Sequence, residues 1–379
     1  MSKIDDLIKE LCPNGVEWKK LGEVCTIQRG VRVVKSQLKT NGKYPVFQNS
    51  LAPMGYFDDY NRSACTTYLI SAGTAGEVGF CDTNYWSADD CLCFLDCCGV
   101  KDKFLYYILK SKQTILYSNV RKASIPRLSK DIVAKIIIPL PPLPIQEEIV
   151  RILDKFVEQQ EQLEQLIELR KKQYEYYREE LLTPKEGEEW ETKTLGEIGT
   201  FVRGNGLQKT DFTEEGIGCI HYGQIYTHYG MFTDKTKSFV SEELAKKLKK
   251  VDTSDIVLAC TSENIEDVCK CVVWEGSDTI VIGGHSSIYK HNENPRFIAY
   301  FLKSKAFEVQ KIKYAYGAKV IDIKNDDLEK VIIKLPSLDK QNKIVESLNN
   351  FESSITDLTS ALEASKARYA HYRDQLLKF

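Results

Sequence analysis

The sequence predicts a mixed α/β (α+β) protein in which two similar domains are separated by two long helices forming an antiparallel coiled coil. Three observations carry this. A stretch of more than forty residues occurs twice, its apolar residues recur at a spacing near 3.5, and the segments between the copies begin and end alike while differing in the middle. A repeat of this kind decides the architecture before any local reading does.

The first copy opens IIIPLPPLPIQEEIVRILDKF at Ile136 and closes YEYYREELL at Leu182; the second opens VIIKLPSLDKQNKIVESLNNF at Val331 and closes YAHYRDQLL at Leu377. Pro141, Leu143, Gln146, Ile149, Val150, Leu153, Phe156, Tyr174, Tyr177, Arg178, Leu181 and Leu182 each recur 195 residues later. In the first copy Ile149, Leu153, Phe156, Leu163, Ile167, Tyr174 and Leu181 follow a 4-3 spacing, and the second keeps it from Ile344 to Leu376. A narrow stripe of that period among charged residues is a coiled-coil seam. Pro144 suits a first helical turn and Asp339 an N-cap. Some 38 residues at about 1.5 Å each give a rod of roughly 57 Å, too long for a compact core and suited to a spacer.

In chain order, residues 1–18 complete a circular repeat, because IDDLIKELCPNGVEWKKL resembles the exit of the first long helix. Leu11 and Pro13 then match Leu182 and Pro184, and Trp18 matches Trp190. Residues 19–140 form the first domain, 141–184 the first spacer helix, 185–335 the second domain and 336–379 the second spacer helix. The domain openings match at an offset of 174: Leu21-Gly22-Glu23 with Leu195-Gly196-Glu197, Arg29-Gly30 with Arg203-Gly204, and Lys35-Ser36 with Lys209-Thr210. The offset reaches 195 by the domain ends, so the second domain gains 21 residues. Thr67–Ser71, Cys91–Leu95, Asp255–Cys260 and Thr279–Ile282 read as strands, SAGTAGEVG as a loop, and FLYYILKS and FIAYFLKS as matched helices with aromatics inside. Termini that lie close together follow from this plan.

Bulk properties bound the function. A chain of 379 residues holds two or so domains. No apolar run approaches eighteen residues and no signal-peptide core is present, so neither a membrane nor a secretory fate is expected. Twelve cysteines without a regular framework suit a reduced, cytoplasmic setting. Net charge is −2, but residues 145–182 carry six basic against ten acidic residues and residues 338–378 six of each, leaving the remainder at only +2. A nucleic-acid surface must then be local or shared with a partner.

The plan resembles that of the specificity (S) subunits of type I restriction–modification systems. The carrying residues are the LGE and RG openings at 21–30 and 195–204 and the IPRLSKDIVAKIIIPLPPLPIQEEIV run from Ile125. TSENIEDVCKCVVWEG at Thr261–Gly276 and the YYREELL and HYRDQLL helix ends add to them. The resemblance implies that each domain is a target-recognition domain for one half of a split double-stranded DNA site. It further implies that the helices act as ruler and docking site for two methyltransferase subunits, and that restriction/translocase subunits join that complex. S-adenosylmethionine and ATP would be used by those partners, and no cofactor by this chain. One departure is visible: Val320-Ile321-Asp322 stands where the first copy has Ile125-Pro126-Arg127.

Base reading in the major groove uses Arg, Lys, Asn, Gln, Ser or Thr on placed loops, and phosphate contacts use Lys, Arg and backbone amides. Candidates in the first domain are Arg29, Arg32, Lys35, Ser36, Gln48, Asn49, Ser50, Arg121, Lys122 and Arg127. In the second they are Arg203, Lys209, Thr210, His221, Tyr222, Gln224, Ser262, Asn264 and Lys319. The two Arg-Gly/Lys-Ser/Thr loops rank higher because their basic pair is retained in both repeats. The bland reading is that most of these are solvated charges and turn residues.

Cys65, Cys81, Cys91, Cys93, Cys97 and Cys98 invite a zinc site, but Cys91 and Cys93 sit at strand spacing. Buried reduced thiols are the expectation, with Ser287 and Tyr289 aligned opposite Cys91 and Cys93. No metal is expected. The tyrosines at 174, 176, 177, 369 and 372 read as rod packing, with hydroxyls reaching water. No Gly-rich phosphate loop ending in Lys-Ser/Thr, dinucleotide fingerprint or Asn/Asp-Pro-Pro-Tyr/Phe tetrapeptide occurs, so no catalytic residues are assigned. A coiled-coil scaffold that binds proteins instead of DNA is the alternative, favoured slightly by the near-neutral charge.

Overall fold

The structure, a computed structural model, describes residues 3–379. The chain divides into two compact units, 1–165 with 359–379 and 166–358, so that each unit holds one domain and part of both long helices. The helices span Leu143–Leu181 and Leu338–Leu376, 39 residues each. Pro144 lies in the first turn of its helix as expected, whereas Asp339 lies inside the first turn of the other instead of capping it. Within each unit the two helices pack antiparallel. In the first unit Phe156 stacks on Tyr372 at 5.5 Å between ring centroids, and in the second Tyr177 stacks on Phe351 at 5.3 Å. These are the same pair twice, since Phe156 repeats as Phe351 and Tyr177 as Tyr372. Their residue numbers sum to one value, which is what an antiparallel register requires. Tyr174 does not send its hydroxyl to water: it donates to Glu352 at 2.7 Å.

A buried glutamine explains another repeated residue. Gln146 accepts from the Lys101 N–H at 2.9 Å and donates to the Gly99 and Pro141 carbonyls at 2.7 and 2.8 Å. Gln341 accepts from the Asn294 N–H at 3.0 Å and donates to the Pro336 carbonyl at 2.9 Å and to Glu293. Each glutamine ties the start of its rod to the turn before the domain's aromatic helix (Asp102–Ser111 or Pro295–Leu302). A buried amide with every bond made is tolerated in a core; one left half-paired is not. Tyr107 adds a second tie by donating to Asp154, and its counterpart Tyr300 donates to Asn349 at 2.9 Å.

The first domain carries an antiparallel four-stranded sheet, in the order Thr26–Arg29, Cys91–Leu95, Thr66–Ile70, Val78–Cys81. A three-stranded sheet of Gly55–Phe57, Tyr44–Phe47 and Trp86–Ser87 stands beside it. The second domain repeats both sheets and enlarges them. Gly199–Arg203, Ser286–His291, Ile256–Ala259 and Cys271–Trp274 gain a fifth strand, Phe232–Thr233, paired parallel to Cys271–Trp274. Ile217–Ile220, Ile280–Ile282, Lys249–Val251 and Ser238–Val240 form the other sheet. The inserted residues supply the helix Tyr222–Thr227 and this fifth strand.

The Lys3–Leu11 helix buries Ile4 in the same core as Leu377, with Leu7, Ile8, Leu376 and Phe379 packed around it. The circular plan therefore closes within the first unit. Strand register corrects one detail of it. Glu17 pairs with Leu140 as Glu191 pairs with Leu335, so Trp18 corresponds to Thr192 and Trp190 to Val16. Trp18 is exposed, whereas Trp190 packs edge-on to Phe297. The shared tryptophan is a coincidence of composition two positions apart.

A second correction concerns the cysteines. Arg29 pairs with Leu92 as Arg203 pairs with Ser287, which sets Cys91 opposite Ser286 and Cys93 opposite Ile288. The alignment to Ser287 and Tyr289 is one residue out, and on a strand one residue reverses the face. Cys91 points its thiol at the Phe47 and Gln48 carbonyls, and Cys93 donates to Ser87 at 3.0 Å. Burial, then the neighbouring Cys93, pushes the Cys91 thiol upward, so it stays protonated. Cys97 departs from the reduced reading: it forms a disulfide with Cys25, their Cα atoms 4.2 Å apart. The Thr26–Leu95 pairing brings the two residues together just beyond the end of the ladder.

The Arg-Gly signature has a steric cause. A Cβ on Gly30 would lie 2.2 Å from the Ser87 and Ala88 carbonyl oxygens, and one on Gly204 2.1 Å from the Gly283 oxygen. Both glycines also donate across the sheet, to Cys91 and Ser286. Replacing either with alanine forces backbone apart from backbone, so Gly30→Ala and Gly204→Ala should each cost about 3 kcal/mol of stability. Urea unfolding of the purified full chain checks this; a midpoint unchanged from the parent would contradict it.

Candidate nucleic-acid interface

In the first domain three backbone segments meet on one face. The Asn49 carbonyl accepts from the Thr74 N–H at 2.9 Å, and Gly73 donates to the Pro126 carbonyl at 3.2 Å. Ala72 bridges Arg127, and Arg121 and Arg127 pair with each other. Gly73 holds φ +87° with the Asn49 carbonyl oxygen 2.5 Å from where a Cβ would be, so only glycine closes this junction. The result is a cluster of Gln48-Asn49-Ser50, Gly73-Thr74 and the 121–127 hairpin. Gln48 is half-buried, its amide 3.4–3.5 Å from Asp89 and Asp90, while Ser50 donates to the Ala52 carbonyl. Arg121, Lys122 and Arg127 are exposed. Thr74, a hydroxyl in the centre of this face, escaped sequence reading because its loop reads only as Gly-rich.

The opening loop is a separate piece of the same domain. Lys35 and Ser36 sit in a single 3₁₀ turn, exposed, and Lys209 and Thr210 occupy the equivalent turn of the second domain. Arg32 is exposed beside Val33, which packs on Val46 and Ala88 and fixes the segment to the smaller sheet. Arg29 reaches back to the Asp89 carbonyl at 3.2 Å.

The second domain gathers its candidates around the Tyr222–Thr227 helix. His221 occupies the place of Gln48, since Ile220 pairs with Ile282 as Phe47 pairs with Ser87. Its Nδ1 accepts from the Gly223 N–H at 3.2 Å, which leaves Nε2 to carry the proton. Burial first, then the Lys209 and His285 charges, lower its pKa, so the ring is neutral near pH 7. Tyr222 lies 4.5 Å from His221 and 4.8 Å from His285 between ring centroids. Tyr226 donates to the Thr261 carbonyl at 2.6 Å, joining the helix to the loop that carries Ser262. Ser262 in turn pairs with Ile321, bringing the 316–322 hairpin and exposed Lys319 alongside. His285 and Tyr226 join this face although no motif marks them.

Three candidates are engaged internally. Arg203 spends its whole guanidinium inside the domain: Nε donates to Gly284 at 3.2 Å and one terminal nitrogen to the Ile323 carbonyl at 3.1 Å. The other terminal nitrogen bonds Asp322 at 3.0 Å. It braces the Ile321–Asp322 strand against the sheet, and its retention in both repeats reflects position on that strand end. Asn264 closes a turn with Asp267 at 2.8 Å in both directions. Gln224 accepts from the His221 N–H and donates to Ser238 at 2.7 Å. Among the described residues, Lys209, Thr210, Tyr222 and Lys319 have no side-chain hydrogen bond or ion pair by contrast.

Among the described residues no group of three or more His, Cys, Asp or Glu side chains could hold a metal ion. No helix among them is long and apolar enough to cross a membrane.

Comparison with known proteins agrees with this arrangement. Residues 13–170 and 187–365 each match the family model of the type I restriction modification DNA specificity domain. The chain is 28% identical to the type I restriction enzyme EcoR124I/EcoR124II specificity subunit of Escherichia coli over 416 aligned positions, covering 100% of this chain and 98% of that one. Its fold is shared with the crystal structure of a type I restriction–modification S subunit from M. genitalium. The TM-score is 0.61 at 19% identity, with 97% of each chain covered. An HsdS subunit from Thermoanaerobacter tengcongensis aligns with a TM-score of 0.53 at 17% identity over 97% of each chain. With both halves matched, this chain belongs to the type I restriction–modification DNA specificity family.

Proposed function

We propose that this chain is the DNA sequence-specificity subunit of a cytoplasmic type I restriction–modification complex. Residues 19–140 and 185–335 serve as target-recognition domains, each reading one half of an interrupted double-stranded site. The spacer helices, 141–184 and 336–379, set the gap and dock two methyltransferase subunits, through which restriction/translocase subunits attach. Residues 1–18 complete the repeat. The chain itself performs no chemistry; methyl transfer and cleavage belong to its partners.

One observation carries the reading. The parts that repeat are the rod, its glutamine ties and the sheet framework, while the parts that differ are the loops facing outward: Gln48-Asn49 against His221-Tyr222, and Arg121–Arg127 against Tyr316–Asp322. A shared frame with unlike loops is what reading two different half-sites demands, because base edges are distinguished by side-chain identity and placement. A protein-binding scaffold has no such need.

The test is DNA binding by the chain assembled with two methyltransferase subunits. The reading predicts an affinity for the cognate duplex that falls steeply with salt, through release of counterions from phosphates. Loss of that dependence, or equal affinity for scrambled DNA, would overturn it.

A further inference from the structure

The two domains carry the same hairpin with opposite electrostatics. In the first, Arg121 and Arg127 exchange backbone hydrogen bonds at 2.8 and 3.2 Å; in the second, Tyr316 and Asp322 exchange theirs at 3.0 and 2.9 Å. Residues paired in this way project side chains from the same face, about 5.5 Å apart at their Cα atoms. Where the second domain places a carboxylate, neutralised by Arg203, the first places a second arginine. Like charges directly opposed across a ladder destabilise it. Neither arginine forms an ion pair among the described residues, and no carboxylate lies in the hollow between them.

That hollow, about 250 Å³, is lined by Arg121, Ala123, Ser124, Ile125 and Arg127. Two arginines and a serine line this hollow, and the backbone N–H groups of Lys122, Ala123, Ser124 and Ile125 in the turn beside it have no protein acceptor among the described residues. Donors arranged like this suit a tetrahedral oxyanion, and arginine forks match phosphate oxygens in pairs.

Resting on the DNA-specificity reading, we propose that the 121–127 hairpin is a phosphate clamp for the DNA backbone, present in the first domain only. The equivalent hairpin of the second domain is sealed by Arg203–Asp322 and offers Lys319 alone. The two half-sites are then held unequally. The first domain carries the larger electrostatic share of binding and fixes register, while the second depends more on its His221-Tyr222 face.

The experiment uses the complete complex with methyltransferase subunits and a duplex carrying the cognate site. Affinity is measured from low to high salt for the parent, for Arg121→Gln/Arg127→Gln and for Arg121→Lys/Arg127→Lys. The glutamine pair should lower the slope of log affinity against log salt by about 1–2 and weaken binding roughly ten-fold or more near physiological salt. The lysine pair should keep the slope. Thermal unfolding of the glutamine variant should not fall, since it removes a like-charge opposition. A parent-like slope in the glutamine variant would overturn the clamp and leave the specificity reading intact. A changed base preference in the first half-site would also overturn it, by making the arginines base readers. A parent complex without salt-dependent binding would instead remove the reading on which the clamp rests.

Discussion

Inserting one heptad into each long helix, between Leu166 and Ile167 and between Ala361 and Leu362, should lengthen the unread gap of the recognised site by up to about three base pairs. Seven residues add about 10.5 Å of helix, and B-DNA rises about 3.4 Å per base pair. Both recognised half-sites should stay unchanged. The insertion points lie midway between the Phe156–Tyr372 and Tyr177–Phe351 stacks, at positions that repeat each other. Seven residues keep the apolar seam in phase, whereas other lengths introduce a stutter that locally rewinds the pair. Methylated sites mapped in cells expressing the variant complex read the outcome. A gap of parental length would mean that the rod is not the ruler, and altered half-sites would mean that the insertion distorts the domains.

The frame was legible in the sequence for a physical reason. Rod packing depends on a periodic stripe, and periodicity survives in a linear string: the repeat alone makes Phe156 equivalent to Phe351 and Tyr177 to Tyr372, the residues whose rings stack. Arg-Gly and the repeated glutamine were likewise visible, though their causes were not. Gly30 is required by a carbonyl 2.2 Å from its missing Cβ, contributed by residues far along the chain, and Gln146 by a turn 45 residues away.

The candidate faces were less legible, because they are built by long-range backbone pairing. Arg203 belongs to one of the two loops whose retained basic pair points to DNA, yet Asp322, 119 residues later, holds it inside the domain. Conversely, Arg121 and Arg127 gained weight only when their hairpin put them opposite each other. Short matches misled where register alone decides. Trp18 and Trp190 share a residue type and not a position, and Cys91 was aligned one strand residue from its true counterpart. The Cys25–Cys97 disulfide joins residues whose 72-residue separation gives no hint of contact.

The modular reading makes its largest prediction for domain exchange. Residues 19–140 hold every outward loop of the first face, while the core beneath them ends on Ile138, Ile145, Ile149 and Leu153 of the strand and rod entry. A segment from a relative that keeps the Leu21, Gly30 and Gln146-facing positions should seat on the same rod start, with Lys101 and Gly99 equivalents meeting Gln146. The second domain contributes its own core, centred on Leu258, Tyr289, Phe297 and Leu348, and shares none of these loops. Specificity at one half-site should therefore change completely while the other is untouched.

The direct test is methylome sequencing of cells expressing the complete complex with residues 19–140 exchanged for those of a relative that recognises a different site. The account predicts a new methylated motif in which one half is replaced, and the other half and the gap are those of the parent. A motif in which both halves change, or neither does, would contradict it.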